Sequence, residues 1–162
     1  MKKVLFFHGL ESTPSGNKAT WLKDNYGALT PALPTKKGLA ASVTAARKAI
    51  AQFQPDLVVG SSFGGAVALT LLNDGTLNVP MVLIAPAARK LEAPNTLPAD
   101  ARVVVLHGEN DETVPLDDSR ALIETGGDGA LLHIVRGPQG DHRLNCILEN
   151  GLLERAIEHL GG

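Results

Sequence analysis

The sequence predicts an α/β fold in three layers, with helices on both faces of a mostly parallel sheet of about six strands, in a single domain spanning 1–162. Two observations predict it. Short runs rich in Val, Leu, Ile and Phe alternate along the chain with segments whose apolar residues recur at helical spacing. Those runs are continuously apolar, as in strands buried on both faces. A third observation places chemistry on this frame. The residue types suited to catalysis gather just after the apolar runs, at the expected carboxyl edge of the sheet.

In chain order, Val4–Phe7 reads as the first strand, ending at His8-Gly9. Residues 18–26 follow the Ser15-Gly16-Asn17 turn as a helix, and 28–31 give a weak strand. Residues 40–52 are helical, with Val43, Ala46 and Ile50 on one face. Residues 57–59 are a strand and 65–72 a helix, closed by Asn73-Asp74-Gly75. Met81–Ile84 and 103–106 are strands, and Leu116–Glu124 is a helix stopped by Gly126-Gly127. Residues 131–135 form the last strand and 147–160 a closing helix. No repeat, low-complexity tract or linker interrupts the alternation.

Composition excludes several classes. The 15 basic and 17 acidic residues are well mixed and leave a net charge of −2, so no basic stripe points to nucleic acid. No apolar run approaches the roughly 18 residues of a membrane span, so no membrane partner is expected. The apolar run after Lys2-Lys3 stops at Phe7 with no cleavage-like site, which reads as a strand and not a signal peptide. The single cysteine, Cys146, rules out an internal disulfide and fits a reducing compartment, so a cytoplasmic location is expected. Cys146 reads as a packed thiol.

The most informative stretch is Gly60-Ser61-Ser62-Phe63-Gly64. It matches G-x-S-x-G between a predicted strand and a predicted helix, the setting of a nucleophile elbow. Glycines two before and two after the serine remove Cβ atoms from a tight turn. The alternative is a glycine-rich turn that packs closely or cradles a phosphate. A serine hydroxyl becomes a nucleophile near neutrality when a base takes its proton and a carboxylate holds that base. The chain supplies Ser62, then Asp111, then His142, the order Ser…Asp…His. Of the five histidines, His142 lies in a loop directly after the last strand. His107 reads as support for the turn presenting Asp111, His8 as a bond-maker within its own loop, and His133 and His159 as structural or surface residues. Asp141 adjoins His142, but neighbouring side chains diverge, so it reads as a loop-capping acid. For the oxyanion, the amide after the nucleophile is that of Phe63, and the first strand's loop offers Leu10.

These motifs carry a resemblance. FFHGLES at 6–12, GSSFGG at 60–65, HGENDETVP at 107–115 and GDHRL at 140–144 are similar in type, order and spacing to those of small bacterial YqiA-like esterases. The resemblance covers the whole chain. It implies a minimal α/β-hydrolase fold, a catalytic Ser62, Asp111 and His142, and hydrolysis of carboxylic esters through an acyl-enzyme. It implies no cofactor and no metal; a zinc-type ligand spacing is also missing from the sequence. Larger relatives insert a cap domain after the fourth strand of this sheet. Here 85–101, with Pro86, Pro94 and Pro98, leaves room for a loop only.

The expected substrate is a small ester with a short acyl chain. Two other readings stand beside it: an acyl-CoA thioesterase, and a non-catalytic protein-binding member of the fold whose partner the sequence does not name. A doubly wound nucleotide binder is disfavoured by the missing G-x-G-x-x-G after the first strand. Without a cap, the site is expected to be a shallow cleft walled by Leu10, Phe63, Ala87, the 86–98 segment and the His142 loop.

Overall fold

Residues Val4 to Phe7 alternate between two apolar cores, one on each face of the strand they form. Leu5 and Phe7 face one side with Val58, Leu83 and Val105. Val4 and Phe6 face the other with Leu57, Val82 and Val104. The period of two along a strand sends successive side chains to opposite faces, so a strand covered on both sides needs apolar residues throughout.

The computed structural model describes residues 2–10 and 12–161. Five strands, β1 (Val4–Phe7), β2 (Leu57–Ser61), β3 (Met81–Ile84), β4 (Val103–Gly108) and β5 (Ala130–Val135), lie side by side in chain order. Every pairing is parallel. The helices are α1 (Asn17–Tyr26), α2 (Leu39–Phe53), α3 (Phe63–Asn73), α4 (Leu116–Glu124), α5 (Cys146–Glu149) and α6 (Leu152–Gly161). Val43 and Ala46 of α2, Val67 and Leu71 of α3 and Leu122 of α4 fill one core. Ala19 and Leu22 of α1 and Leu153, Ile157 and Leu160 of α6 fill the other. The result is the three-layer α/β/α arrangement read from the sequence.

Two elements differ from expectation. The weak strand at 28–31 is a single parallel bridge, Leu5 to Leu29, outside β1. Phe6 N donates to Leu29 O at 2.9 Å and Leu29 N to Val4 O at 3.0 Å. The next residue of that edge facing β1 is Pro31, which has no N–H to continue the ladder. The closing helix at 147–160 is two helices. Gly151 takes φ +79° between them, and Asn150 Oδ1 accepts the Leu152 N–H at 2.9 Å, starting α6 afresh.

The bridge also locates the site. From β1 the chain passes through α1 to Leu29 at the sheet edge, then returns through α2 to β2 on the other side of β1. The helices leaving β1 and entering β2 lie on opposite faces. A crevice opens where such connections diverge, at the carboxyl ends of the strands.

Candidate active site

Ser62 stands between the last residue of β2 and the first of α3, with φ +52° and ψ −109°. A non-glycine residue held there costs about 1–3 kcal/mol, so the surroundings must fix it. Its N–H donates to Ile84 O at 2.8 Å. Its carbonyl accepts from the amides of Gly65 (3.0 Å), Ala66 (3.2 Å) and Ala87 (3.0 Å). The flanking glycines make the turn possible. A Cβ on Gly60 would lie 2.7 Å from Gly64 O, and one on Gly64 would lie 2.0 Å from Phe7 O.

Ser62 Oγ lies 2.9 Å from His142 Nε2. The other ring nitrogen, Nδ1, lies 2.8 Å from Asp111 Oδ2. An ionised carboxylate only accepts, so Nδ1 carries the ring proton and Nε2 is free to accept from the serine hydroxyl. Asp111 Oδ1 accepts the amides of Thr113 and Val114, each at 2.8 Å. Burial opposes ionisation of Asp111. Hydrogen bonds from His107, His142 and the Val114 and Thr113 amides outweigh it and hold the carboxyl well below the usual carboxylate range.

His107 is fully buried at the end of β4. Its Nε2 lies 2.9 Å from Val114 O, which only accepts, so Nε2 bears the proton; the same atom faces Asp111 Oδ2 at 3.2 Å. Its Nδ1 then accepts from the Ser119 hydroxyl at 2.6 Å. A continuous chain thus runs from Ser119 through His107, Asp111 and His142 to Ser62.

The loops carrying Asp111 and His142 are bound backbone to backbone. Asn110 N donates to Gly140 O at 2.9 Å, and its side-chain amide to Gly137 O at 2.7 Å. Glu109 Oε2 accepts Gly137 N at 2.5 Å. A Cβ on Gly108 would lie 2.1 Å from Gly140 O, so glycine permits the approach. Asp141 turns away and caps Leu144 N at 2.9 Å.

The amides expected to face an oxyanion, those of Phe63 and Leu10, have no protein acceptor among the described residues. Phe63 N–H belongs to the first turn of α3, where no intrahelical partner exists. The β1–α1 loop approaches the serine closely: a Cβ on Gly9 would lie 3.7 Å from Ser62 Cβ. His8, nearly fully buried, braces that loop. Its Nδ1–H donates to Gly9 O at 2.9 Å, and its Nε2 accepts Leu33 N–H at 3.0 Å.

The cleft differs from its expected outline. Phe63 and Ala87 are only 3% and 5% exposed, packed inward, while the Leu10 side chain is 53% exposed. Helix packing needs the Phe63 ring in the core. The cleft of about 330 Å³ is instead lined by Gly9, Ser12, Lys18, His142, Arg143 and Asn145 among others, and the 86–98 segment contributes nothing to it. Burial pulls the Lys18 ammonium below its ordinary range, with Asp141 opposing and Arg143 adding to the shift. Among the described residues no three His, Cys, Asp or Glu side chains gather as a metal site. Sequence reasoning missed Ser119, Asn110, Lys18 and Arg143.

A sheet of this order, with a serine at a strained strand–helix turn and a histidine and aspartate from later loops, has the α/β-hydrolase fold. The chain belongs to the Uncharacterised protein family (UPF0227), whose profile matches residues 3–97. That match holds the elbow and the β1–α1 loop and ends before Asp111 and His142. Solved structures agree on the fold. A provisionally assigned hydrolase from Agrobacterium vitis S4 is 20% identical with a TM-score of 0.80, over 98% of this chain and 88% of that one. Est1E from Butyrivibrio proteoclasticus is 16% identical with a TM-score of 0.73, over 97% and 88%. A provisionally assigned α/β-superfamily hydrolase from Xanthomonas campestris pv. campestris is 20% identical with a TM-score of 0.73, over 98% and 96%. No curated protein matches the chain. No helix among the described residues is long and apolar enough to cross a membrane.

Proposed function

We propose that this protein is a serine hydrolase of small carboxylic esters, working in the cytoplasm through an acyl-enzyme. The observation that carries this reading is the hydrogen-bonded run from Ser62 through His142 to Asp111 at the elbow. Ser62 Oγ attacks the ester carbonyl carbon while His142 Nε2 takes its proton. Asp111 stabilises the imidazolium that forms. The Phe63 and Leu10 amides hold the tetrahedral oxyanion, each such donor contributing about 3 kcal/mol to the transition state. The intermediate collapses, His142 gives the proton to the departing alcohol, and Ser62 remains acylated. Water, deprotonated by His142, then attacks the acyl carbon, and the acid leaves as Ser62 regains its proton. The solved complex of Est1E holds ferulic acid, a carboxylic acid of the kind such a reaction releases.

A fluorophosphonate probe tests the reading. Labelling of the native protein that vanishes in Ser62→Ala supports it. An unlabelled native protein that hydrolyses no ester overturns it in favour of a binding role for the fold.

A further inference from the structure

The cleft beside His142 receives two cations, Lys18 from the first turn of α1 and Arg143 from the position after His142. Neither has a carboxylate at ion-pair distance among the described residues. Lys18 Nζ is held by a neutral group, the Arg143 carbonyl. Asp141 favours the ammonium, more strongly than Arg143 disfavours it, while its Oδ1 also accepts the Leu144 amide. Among the described residues the remaining polar lining, Ser12, Asn17, Ser61 and Asn145, is uncharged. Two like charges converging on a half-enclosed space repel each other more strongly than they would in water. An anion placed between them removes that repulsion and pairs both.

The position of the cleft says which part of a substrate would meet them. His142 must reach the leaving oxygen to protonate it, so the leaving group lies against His142. The cleft runs from His142 onto Arg143 and Lys18. We infer that the protein selects esters whose leaving alcohol carries an anionic group, a carboxylate or a phosphate, with Lys18 and Arg143 as its specificity residues. The inference rests on the esterase reading of the same site.

The test compares three butyrate esters: those of glycolate, of glycolamide as the neutral isostere, and of ethylene glycol monophosphate. The kcat/KM for the glycolate ester should exceed that for the glycolamide ester by about tenfold, and the ratio should shrink in about 0.5 M salt. Arg143→Gln and Lys18→Met should each bring the ratio towards one. If Lys18→Met fails to fold, Arg143→Gln carries the test, since it keeps the carbonyl that holds Lys18. The phosphate ester separates the two sources: a gain larger than the carboxylate's points to a phosphorylated alcohol. A control pair places the charge on the acyl side, ethyl hydrogen glutarate against its neutral amide. A ratio near one in the native protein, a ratio unmoved by both variants, or a preference confined to the acyl-side pair overturns the inference. Calorimetric titration of Ser62→Ala with the glycolate and glycolamide esters reads the same preference without turnover. Hydrolysis without anion preference therefore sinks the cleft assignment alone. Anion-selective binding by a protein that never turns over sinks the esterase reading and leaves the cleft.

Discussion

Asp111 gives one carboxylate oxygen to His142 and the other to its own loop. Oδ2 meets His142 Nδ1 at 2.8 Å, while Oδ1 takes two amides. The carboxylate has no solvent exposure, whereas the His142 side chain is 24% exposed. The Asp111 carboxylate is fixed, and the His142 ring it orients faces the cleft.

That arrangement predicts a pH-dependent cost for Asp111→Asn. The folded-state pKa of Asp111 lies below its unfolded value of about 3.9. Its contribution to stability is therefore complete above that value and is lost as the pH falls towards the folded one. The stability gap between native protein and Asp111→Asn should narrow below about pH 4. Denaturant midpoints at neutral and acidic pH measure it; a constant gap would contradict the ionised, bonded carboxylate. At neutral pH the variant should lose about 10⁴-fold in kcat, because an amide disfavours the working tautomer of His142.

Ser62→Ala and His142→Ala should each remove nearly all turnover and leave the fold intact. The double variant should be scarcely slower than either single one, since the two residues act as a unit. Steady-state kinetics on one activated ester decide this, and multiplicative losses would show two independent roles.

His107→Leu leaves the Val114 carbonyl and the Ser119 hydroxyl without their partner in a closed core. Stability should fall by about 1–3 kcal/mol. The Asp111 oxygen that serves His142 also loses a donor, so it holds an imidazolium more tightly. The acid limb of kcat/KM should move to higher pH, and His107→Gln should restore part of it. A pH profile identical to the native one would reduce His107 to packing.

Gly64→Ala should destabilise by at least about 3 kcal/mol, because the new methyl meets a backbone carbonyl that cannot move without shifting β1. Gly9→Ala makes only ordinary contacts, 3.6 Å to Ser61 O, and should fold normally. Thermal unfolding of the pair checks the ranking.

Acyl selectivity should rise over the first few carbons and then flatten. Each buried methylene contributes about 0.8 kcal/mol, and Phe63 and Ala87, both packed inward, give few of them cover. Measured as kcat/KM across acyl lengths with one leaving group, a steady rise to a long chain would reveal an acyl channel and favour the thioesterase alternative.

The strands and most helices were legible because burial on two faces leaves an unmistakable apolar run. Ser62 was legible because its turn needs glycine on both sides. Asp111 and His142 were legible because loops after strands carry few residues with acid–base chemistry. Contacts made across long stretches of chain left no local trace. Lys18 meets Arg143 over 125 residues, and nothing beside either marks it. Ser119 sits in a helix as an ordinary small residue, and only the depth of His107 gives its hydroxyl a purpose. The outer strand shrinks to a single bridge and the last helix breaks in two, since one proline and one Asn-Gly pair outweigh several residues of favourable pattern.

The two loops that Asn110 and Glu109 stitch together set a rule for recombining this scaffold. Transplanting the 137–144 segment from another protein, without its matching 108–111 partner, would deliver a histidine to the right address at the wrong angle. Carried as a pair, the segments form one exchangeable cartridge that keeps the Asp111–His142 hydrogen bond and Arg143, while Ser62 and Lys18 stay behind on the host.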